Sequence, residues 1–232
     1  MKRIITFVLV LFVAVVLRAQ PQSVIERPSG GSTIPPLSAG YEVPSGSVFS
    51  YVPVNPVWAF ASIVENNWKC FQSFSGATGP FNVVTIWILG YTADPREVLV
   101  DVYQPGATPT TLVQSTTVIA QLTDTELDFG SWNIYECTMN IPTVSMSAGW
   151  VSVQATTYVS DYFYWLGVET LPMLPALQDD GSSVTDLNSV YSHGLSLCLS
   201  SSKPVPFPYW AIAVVFVLVA GVVVFRFRRR IA

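Results

Sequence analysis

The sequence predicts an all-β protein, an antiparallel β-sandwich of jelly-roll type flanked by an N-terminal signal peptide and one C-terminal transmembrane helix. Short runs of alternating or β-branched residues recur between turn residues from about residue 48 to residue 199. This pattern is typical of sandwiches and barrels. A long apolar run near each end of the chain predicts the two flanking segments. Between those ends no segment shows helical periodicity.

The chain begins with the features of a secretory signal peptide, which we place at residues 1–19. Lys2 and Arg3 form a basic start, and residues 4–17 form an apolar region of ordinary length. The stretch LRAQPQ that follows favours cleavage after Ala19. An uncleaved N-terminal anchor is the alternative, and with either interpretation the middle of the chain is exported.

The exported part divides into a leader and one domain. Residues 20–46 are rich in Pro, Ser and Gly, which predicts a flexible leader or linker. The domain is expected at residues 47–202, a length that allows one hydrophobic core. The stretch NVVTIWILG is apolar on both faces and predicts a central strand that is covered on both sides. Strands are predicted at residues 82–90, 97–103, 111–122, 134–141, 149–157, 161–168 and 195–200.

The C-terminal end predicts a membrane anchor. After a Pro-rich linker at residues 203–208, residues 209–225 carry no charge and would form a helix of about 26 Å, near the lower limit for crossing a bilayer. Residues 226–232 contain four arginines, which by the positive-inside rule remain cytoplasmic. The domain is therefore expected outside the cytoplasm, tethered to the membrane by a single span.

Charge and composition exclude several function classes. Between residues 20 and 208, four basic residues stand against fifteen acidic ones, a net charge of −11. Binding to a phosphate backbone needs clustered Lys and Arg, so nucleic acid is excluded as a partner. No CxxC motif or Cys/His cluster is present, which argues against a zinc site. The sequence predicts no cofactor.

The residues give little support to catalysis. His193 is the only histidine, so a Ser-His-Asp arrangement would have to use it, with Asp186 nearby, yet no GxSxG elbow is present. We expect His193 to be an exposed loop residue. A pair of carboxylates could form a glycosidase, but none of the scattered candidates is singled out. These candidates are Asp94, Glu97, Asp101, Asp124, Glu126, Asp128, Glu136, Asp161 and Glu169.

Two short stretches suggest ligand sites. Asp179 and Asp180 precede Gly181, a turn signal that could also supply part of a calcium site. In the stretch DYFYW, alternate residues face opposite sides of a strand, so one aromatic pair fills the core. If Tyr162 and Tyr164 form the other, exposed pair, they could stack on sugar rings, although packing between sheets explains two aromatics equally well.

The segment GWVSVQATTYVSDYFYWLGVE, followed by ALQDDGSSVTDLNSVYSHGLSLCLS, resembles a β-sandwich module common in exported bacterial proteins. The upstream stretches FNVVTIWILGY, VDVYQPGATP and IYECTMNIPTVSMSAGW look like its earlier strands, so the resemblance covers roughly residues 60–200. It implies an accessory domain without enzymatic activity, with a structural or adhesive role. A carbohydrate-binding module and a membrane-anchored glycoside-active enzyme are the alternatives.

Three cysteines allow one disulfide with a free thiol, or none. The resemblance places Cys70 near the first strand and Cys198 on the last, and terminal strands of jelly rolls are often neighbours. It therefore implies a Cys70–Cys198 disulfide in preference to pairings with Cys137, which lies on a core-facing position.

The tail resembles the C-terminal sorting signals of the PEP-CTERM type, which exosortases recognise. It has a short motif, VPFPYW, then a spanning segment and a basic end, although the Pro-Glu-Pro tripeptide itself is missing. The resemblance implies that an exosortase-like enzyme reads Pro204, Pro206, Pro208 and Trp210. A permanent anchor is the alternative, and a glycan or another surface polymer is a further expected partner.

Overall fold

The structure is a computed structural model that describes residues 23–26, 41, 43–53, 56, 58–90, 92–156, 163–169 and 174–202. The chain separates into two units, residues 1–201 and 202–232, and every element described below belongs to the first. The predicted signal peptide, Pro-rich linker, transmembrane segment and basic tail lie outside the described residues. Within the described ranges, no helix has the length and apolar character needed to cross a membrane.

The described chain is mostly antiparallel β-structure with almost no helix. One short α-helix, α1 (Leu187–Tyr191), and one 3-10 turn (Val64–Asn66) interrupt it. The strands are β1 (Val24–Glu26), β2 (Ser47–Tyr51), β3 (Trp58–Ala61), β4 (Lys69–Ser75), β5 (Phe81–Gly90), β6 (Arg96–Tyr103), β7 (Leu112–Phe129), β8 (Trp132–Val144), β9 (Ala148–Ala155), β10 (Tyr164–Val168), β11 (Ala176–Asp179), β12 (Val184–Asp186), β13 (Gly194–Leu195) and β14 (Leu197–Ser200).

The strands form one curled sheet in the order β1-β3-β10-β5-β8-β7-β6-β9-β4-β11-β12. One edge of β5 is shared by two strands, since β14 pairs with its first part and β10 with its last part. Strand β2 joins the sheet through β14, and β13 through β10. Chain neighbours are therefore often separated in the sheet, so most of the pairing is non-local.

Strand β7 connects the two halves of this sheet. Its first part, up to Ala120, pairs with β6, whereas from Gln121 onward it pairs with β8. A register shift between Asp124 and Asp128 marks a bulge in the second part, where Glu126 has a φ of 61°. Bulges bend a strand and increase its twist. The strand predicted at residues 111–122 is therefore longer than expected, because its acidic second part also pairs.

The main hydrophobic core receives side chains from both halves of the sheet. From one half come Ile86, Ile88 and Met139, and from the other Val100 and Val153, all buried. A second core lies on the opposite face of β5 and contains the following side chains: Trp87, Leu89, Ala59, Ala61, Tyr164, Leu166 and Cys198. Both faces of β5 are thus covered, which confirms the sequence-based prediction for this strand.

Buried polar side chains tie neighbouring strands together. Ser62 Oγ donates to the Val153 carbonyl at 2.6 Å and accepts from the Cys70 amide at 3.1 Å. Ser196 Oγ accepts from the Trp87 amide at 3.1 Å. Because buried polar groups are costly without partners, such bonds make the strand positions specific as well as stable.

The leader differs from its prediction in one place. Residues 24–26 form strand β1, which pairs antiparallel with β3 through Val24 and Phe60. This short strand covers an edge of the sheet and supplies the backbone hydrogen bonds that the edge of β3 would otherwise lack. The expectation of a wholly flexible leader is therefore wrong for these three residues.

Candidate functional site

His193 is buried, so the expected exposed loop position is wrong. It lies two residues after the end of α1, it is 5% exposed, and its Nδ1 lies 2.5 Å from the Tyr191 carbonyl. Asp186, the acid nearest in sequence, instead caps α1 by accepting from the Asn188 and Ser189 amides. Asp186 is therefore the N-cap of α1, and His193 contacts the last residue of the same helix.

Tyr164 does not offer a surface for sugar stacking. It is 2% exposed and belongs to the second core, where its ring lies 6.0 Å from that of Trp132 in an edge-on arrangement. The alternate residues Phe163 and Trp165 fill the main core. Both faces of β10 are buried, so the expectation of an exposed pair is wrong for Tyr164. Tyr162 lies outside the described residues.

Asp179 and Asp180 form a tight turn between β11 and β12. Asp179 Oδ1 accepts from the Gly181 amide at 2.8 Å, and Asp180 Oδ1 accepts from the Ser182 and Ser183 amides at 2.9 and 2.7 Å. In the part of the chain that the structure describes, no three His, Cys, Asp or Glu side chains are grouped as metal ligands. Local hydrogen bonds within the turn therefore explain why both carboxylates are present here.

This hydrogen bonding predicts an unusual titration. Bonds from the Ser182 side chain and from the Ser182 and Ser183 amides lower the pKa of Asp180 to about 2. Since the folded pKa lies below the unfolded value, the stabilisation is present above the unfolded value, near 3.8, and is lost as pH falls towards 2. We expect the Asp180 carboxyl carbon to titrate near pH 2 by NMR. Ser182→Ala should move that titration upward, and an unchanged midpoint would contradict this cause.

The three cysteines are free and buried, so the implied Cys70–Cys198 disulfide is wrong. Cys70 faces the main core, with Sγ 3.3 Å from the Ala61 carbonyl, whereas Cys198 faces the second core, near Ser50. Strands β4 and β14 are also not paired with each other. Cys137 lies in the main core, as its strand position predicted.

Burial should make these thiols unreactive. Desolvation raises the pKa of Cys137 to about 12 and raises those of Cys70 and Cys198 as well. Because the thiolate is the reactive form, a thiol reagent should leave all three cysteines of the folded chain unmodified and label all three after denaturation. Rapid labelling of the native protein would contradict the packing of these strands.

One charged cluster lies outside the two cores, on the other face of strands β4, β9 and β6. Lys69 Nζ donates to Asp101 Oδ2 at 2.5 Å and to the Tyr103 hydroxyl at 2.7 Å. The same hydroxyl donates to Asp101 Oδ2 at 3.2 Å. Lys69 Nζ also lies 5.3 Å from the ring centres of both Phe71 and Tyr103. We call Lys69, Phe71, Asp101 and Tyr103 the Lys69 cluster.

Strand register explains how these residues meet. Side chains on one face of a sheet alternate, so Asp101 and Tyr103 of β6 share a face, as do Lys69 and Phe71 of β4. Strand β9 runs between these two strands, with Ser152 opposite both Asp101 and Phe71 and Trp150 opposite Tyr103. Lys69 therefore reaches across β9 to Asp101. Phe71, Trp150 and Leu177 form a third, small hydrophobic cluster beside it.

The electrostatics of the Lys69 cluster combine burial with ion pairing. Desolvation by itself lowers the pKa of Lys69, but the hydrogen bonds and charge of Asp101 and Tyr103 outweigh it, so the pKa of Lys69 is raised. For Tyr103, desolvation leads and raises the pKa, so its phenol remains protonated at neutral pH. Asp101 is 5% exposed, and within the described chain its Oδ1 has no hydrogen-bond partner. The hydroxyl of Ser152, buried opposite it, also has none.

No pattern in the sequence singled out this cluster. Asp101 was one of nine scattered carboxylates, and Lys69 and Tyr103 were not named as site residues. One signal was available, since Lys69 is the only lysine between residues 20 and 202. Its two partners lie on another strand, about thirty residues further along the chain, so only the strand order reveals them.

Comparison with known proteins adds no assignment. No family model matches the chain, and neither a curated protein nor a solved structure resembles it at a significant level.

Proposed function

We propose that this chain is an exported, membrane-tethered protein with a structural or adhesive role and no enzymatic activity. We further propose that its domain is a β-sandwich of jelly-roll type. Two features support the sandwich: β7 passes from one half of the sheet to the other, and the main core collects side chains from both halves. Inner faces that share one core are typical of sandwiches.

One observation carries the functional part of the proposal. Three of the candidate acid–base and metal-binding residues from the sequence have structural contacts: Asp186 caps α1, Asp180 holds a turn, and His193 Nδ1 lies against the Tyr191 carbonyl. Catalytic groups are normally positioned to face a substrate at hydrogen-bond distance. A domain that uses these groups to stabilise its own turns is better suited to a structural or adhesive role.

The proposed location rests on the two terminal segments and on the charge of the part between them. The signal peptide exports the domain, the span at residues 209–225 tethers it, and an acidic domain is compatible with the outer side of the cytoplasmic membrane. The partners proposed are the membrane itself, an exosortase-like enzyme, and a glycan or another surface polymer.

A deletion experiment in the native host tests the function. We expect cells lacking the gene to adhere less to surfaces and to each other, and we expect the full chain supplied on a plasmid to restore adhesion. A chain with a stop codon in place of Tyr209 is the matched control, since it keeps the domain but loses the tether. Unchanged adhesion, or hydrolysis by the purified protein in a polysaccharide panel, would overturn the proposal.

The burial of Tyr164 removes one of the two residues on which the glycan-binding alternative depends. Tyr164 is part of the second core, so its replacement by alanine should unfold or loosen the domain rather than selectively remove a sugar contact. Binding on a glycan array that survives in a folded Tyr164→Leu variant, which lacks the ring that would stack on a sugar, would show that any glycan site lies elsewhere on the domain.

The tail gives a separate prediction. Prolines hold an extended backbone with few competing hydrogen bonds, a shape that a protease cleft accepts, whereas a bilayer responds only to hydrophobicity and charge. We expect the mature protein in its native host to lack the span. Changing Pro206 and Pro208 to Ala and Trp210 to Leu should block its removal while membrane insertion continues. Intact mass decides, because a mature native chain that still ends at Ala232 would make the tail an ordinary anchor.

A further inference from the structure

We propose that Lys69 and Asp101 form an intramolecular amide bond, an isopeptide bond, that links β4 covalently to β6. The starting geometry is the short contact between Lys69 Nζ and Asp101 Oδ2, at 2.5 Å. Each side chain comes from a different strand, and the two strands flank β9 on opposite sides. The bond would therefore close a cross-link over the middle of this half of the sheet.

An amide would remove two charges that are only partly compensated at this buried position. The carboxylate of Asp101 is almost fully buried, and its Oδ1 has no donor among the described residues. Burying an ion pair costs the desolvation free energy of both ions, which their attraction and their hydrogen bonds have to offset. The oxygen without a partner leaves this cost only partly offset. An amide carries no charge and leaves only one oxygen to be satisfied.

The cluster also contains a group that can transfer the proton. The Tyr103 hydroxyl contacts both reacting groups, at 2.7 Å from Lys69 Nζ and 3.2 Å from Asp101 Oδ2. It can accept a proton from Nζ and pass its own to Oδ2, which converts the ion pair into an amine and a carboxylic acid. The rings of Phe71 and Tyr103 lie 5.3 Å from Nζ, where they attract the ammonium and keep it beside the carboxylate before the proton is transferred.

The reaction is balanced without any further reagent. The lone pair of the neutral amine attacks Cγ of Asp101, so that the Nζ–Cγ bond forms and the Cγ–Oδ2 bond breaks. Oδ2 leaves as water with two of the three protons that the ammonium carried, and the third stays on the amide nitrogen. A cation and an anion become one neutral amide plus water, with no change in oxidation state.

This cross-link goes beyond the proposed function and does not depend on it. In the described chain all three cysteines are free, so they provide no covalent link. A cross-link between β4 and β6 would close a loop of about thirty residues, which restricts the unfolded chain as a disulfide of that span does. The link would also resist reducing conditions, because no sulfur is involved.

Mass spectrometry of the full chain tests the proposal. The wild-type chain should be lighter by about 18 Da than its sequence requires, the mass of the water lost. Cleavage after glutamate should release residues 66–97 and 98–126 as one joined species, because Lys69 lies in the first peptide and Asp101 in the second. Two separate peptides of unmodified mass, from folded protein held for days at neutral pH, would overturn the proposal.

Matched variants separate the bond from the ion pair. Lys69→Arg keeps the positive charge and the contact with Asp101, but a guanidinium is not a nucleophile at neutral pH, so this variant should keep its full mass. Asp101→Asn should still react, with loss of ammonia, about 17 Da, in place of water. Tyr103→Phe should slow the appearance of the joined peptides. Joined peptides in the Lys69→Arg variant would assign the mass loss to another site and overturn the proposal.

Discussion

Replacing Trp87 by alanine is expected to lower the free energy of unfolding by about 3–5 kcal/mol, the range for deletion of a buried aromatic side chain. Trp87 is 1% exposed and lies in the second core, on the face of β5 opposite Ile86 and Ile88. The ring of Tyr41 meets it edge-on at 5.8 Å. Removing the indole therefore leaves a cavity and also removes the contact that holds Tyr41 against the sheet.

Urea denaturation followed by far-UV circular dichroism measures this effect without depending on the fluorescence of Trp87. Leu112→Ala is the control, because Leu112 is about half exposed and its truncation should change stability by no more than about 0.5 kcal/mol. A loss below about 1 kcal/mol for Trp87→Ala would show that the second core contributes little. It would also contradict the interpretation of β5 as a strand covered on both faces.

Replacing Gly149 by alanine is expected to destabilise the domain by about 1–3 kcal/mol, the usual cost of forcing extra volume into a packed core. A Cβ at this position would lie 2.5 Å from the Tyr103 carbonyl oxygen and 3.2 Å from the Phe74 ring. The first contact is with backbone, which cannot rotate away, so β6 and β9 would have to separate near the start of β9. The cause is close approach, not an unusual backbone angle.

Gly79→Ala is the matched control for this prediction. A Cβ at Gly79 would meet only Val48 Cγ1, at 3.6 Å, which is an ordinary van der Waals distance. We expect this variant to stay within about 0.5 kcal/mol of the wild type in the same denaturation experiment. Equal losses for both variants would mean that the effect at Gly149 comes from loss of glycine itself and not from the contact with β6.

Strands β5 to β10 and the region of β13 and β14 could be predicted from the sequence, because the alternation of side chains in a strand is a local property. Strands β1 to β4, β11 and β12 were not among the predicted strands. NVVTIWILG carries apolar residues on both faces, and only a strand covered twice can bury them all. The end of β7 was missed for the opposite reason. Its second part carries Asp124, Glu126 and Asp128, which resemble a loop until β8 is known to pair with it.

The candidate site could not be predicted in the same way, because it depends on which strands are neighbours. The alternation of side chains correctly placed Tyr164 and Trp165 on opposite faces of β10. It could not show that the face with Tyr164 is covered by a second core. For the same reason the cysteine pairing failed, since Cys70 and Cys198 each alternate inward but towards different cores.

By itself, the sequence determined the all-β class, the burial of both faces of β5 and the acidity of the domain. The reason is that composition and a two-residue period are properties of short stretches of chain. Only the tertiary structure decided that β9 lies between β4 and β6 and so brings Lys69 within 2.5 Å of Asp101. The physical reason is that strand order and register come from the packing of distant segments. A shift of one residue in either pairing would turn one partner to the opposite face of the sheet.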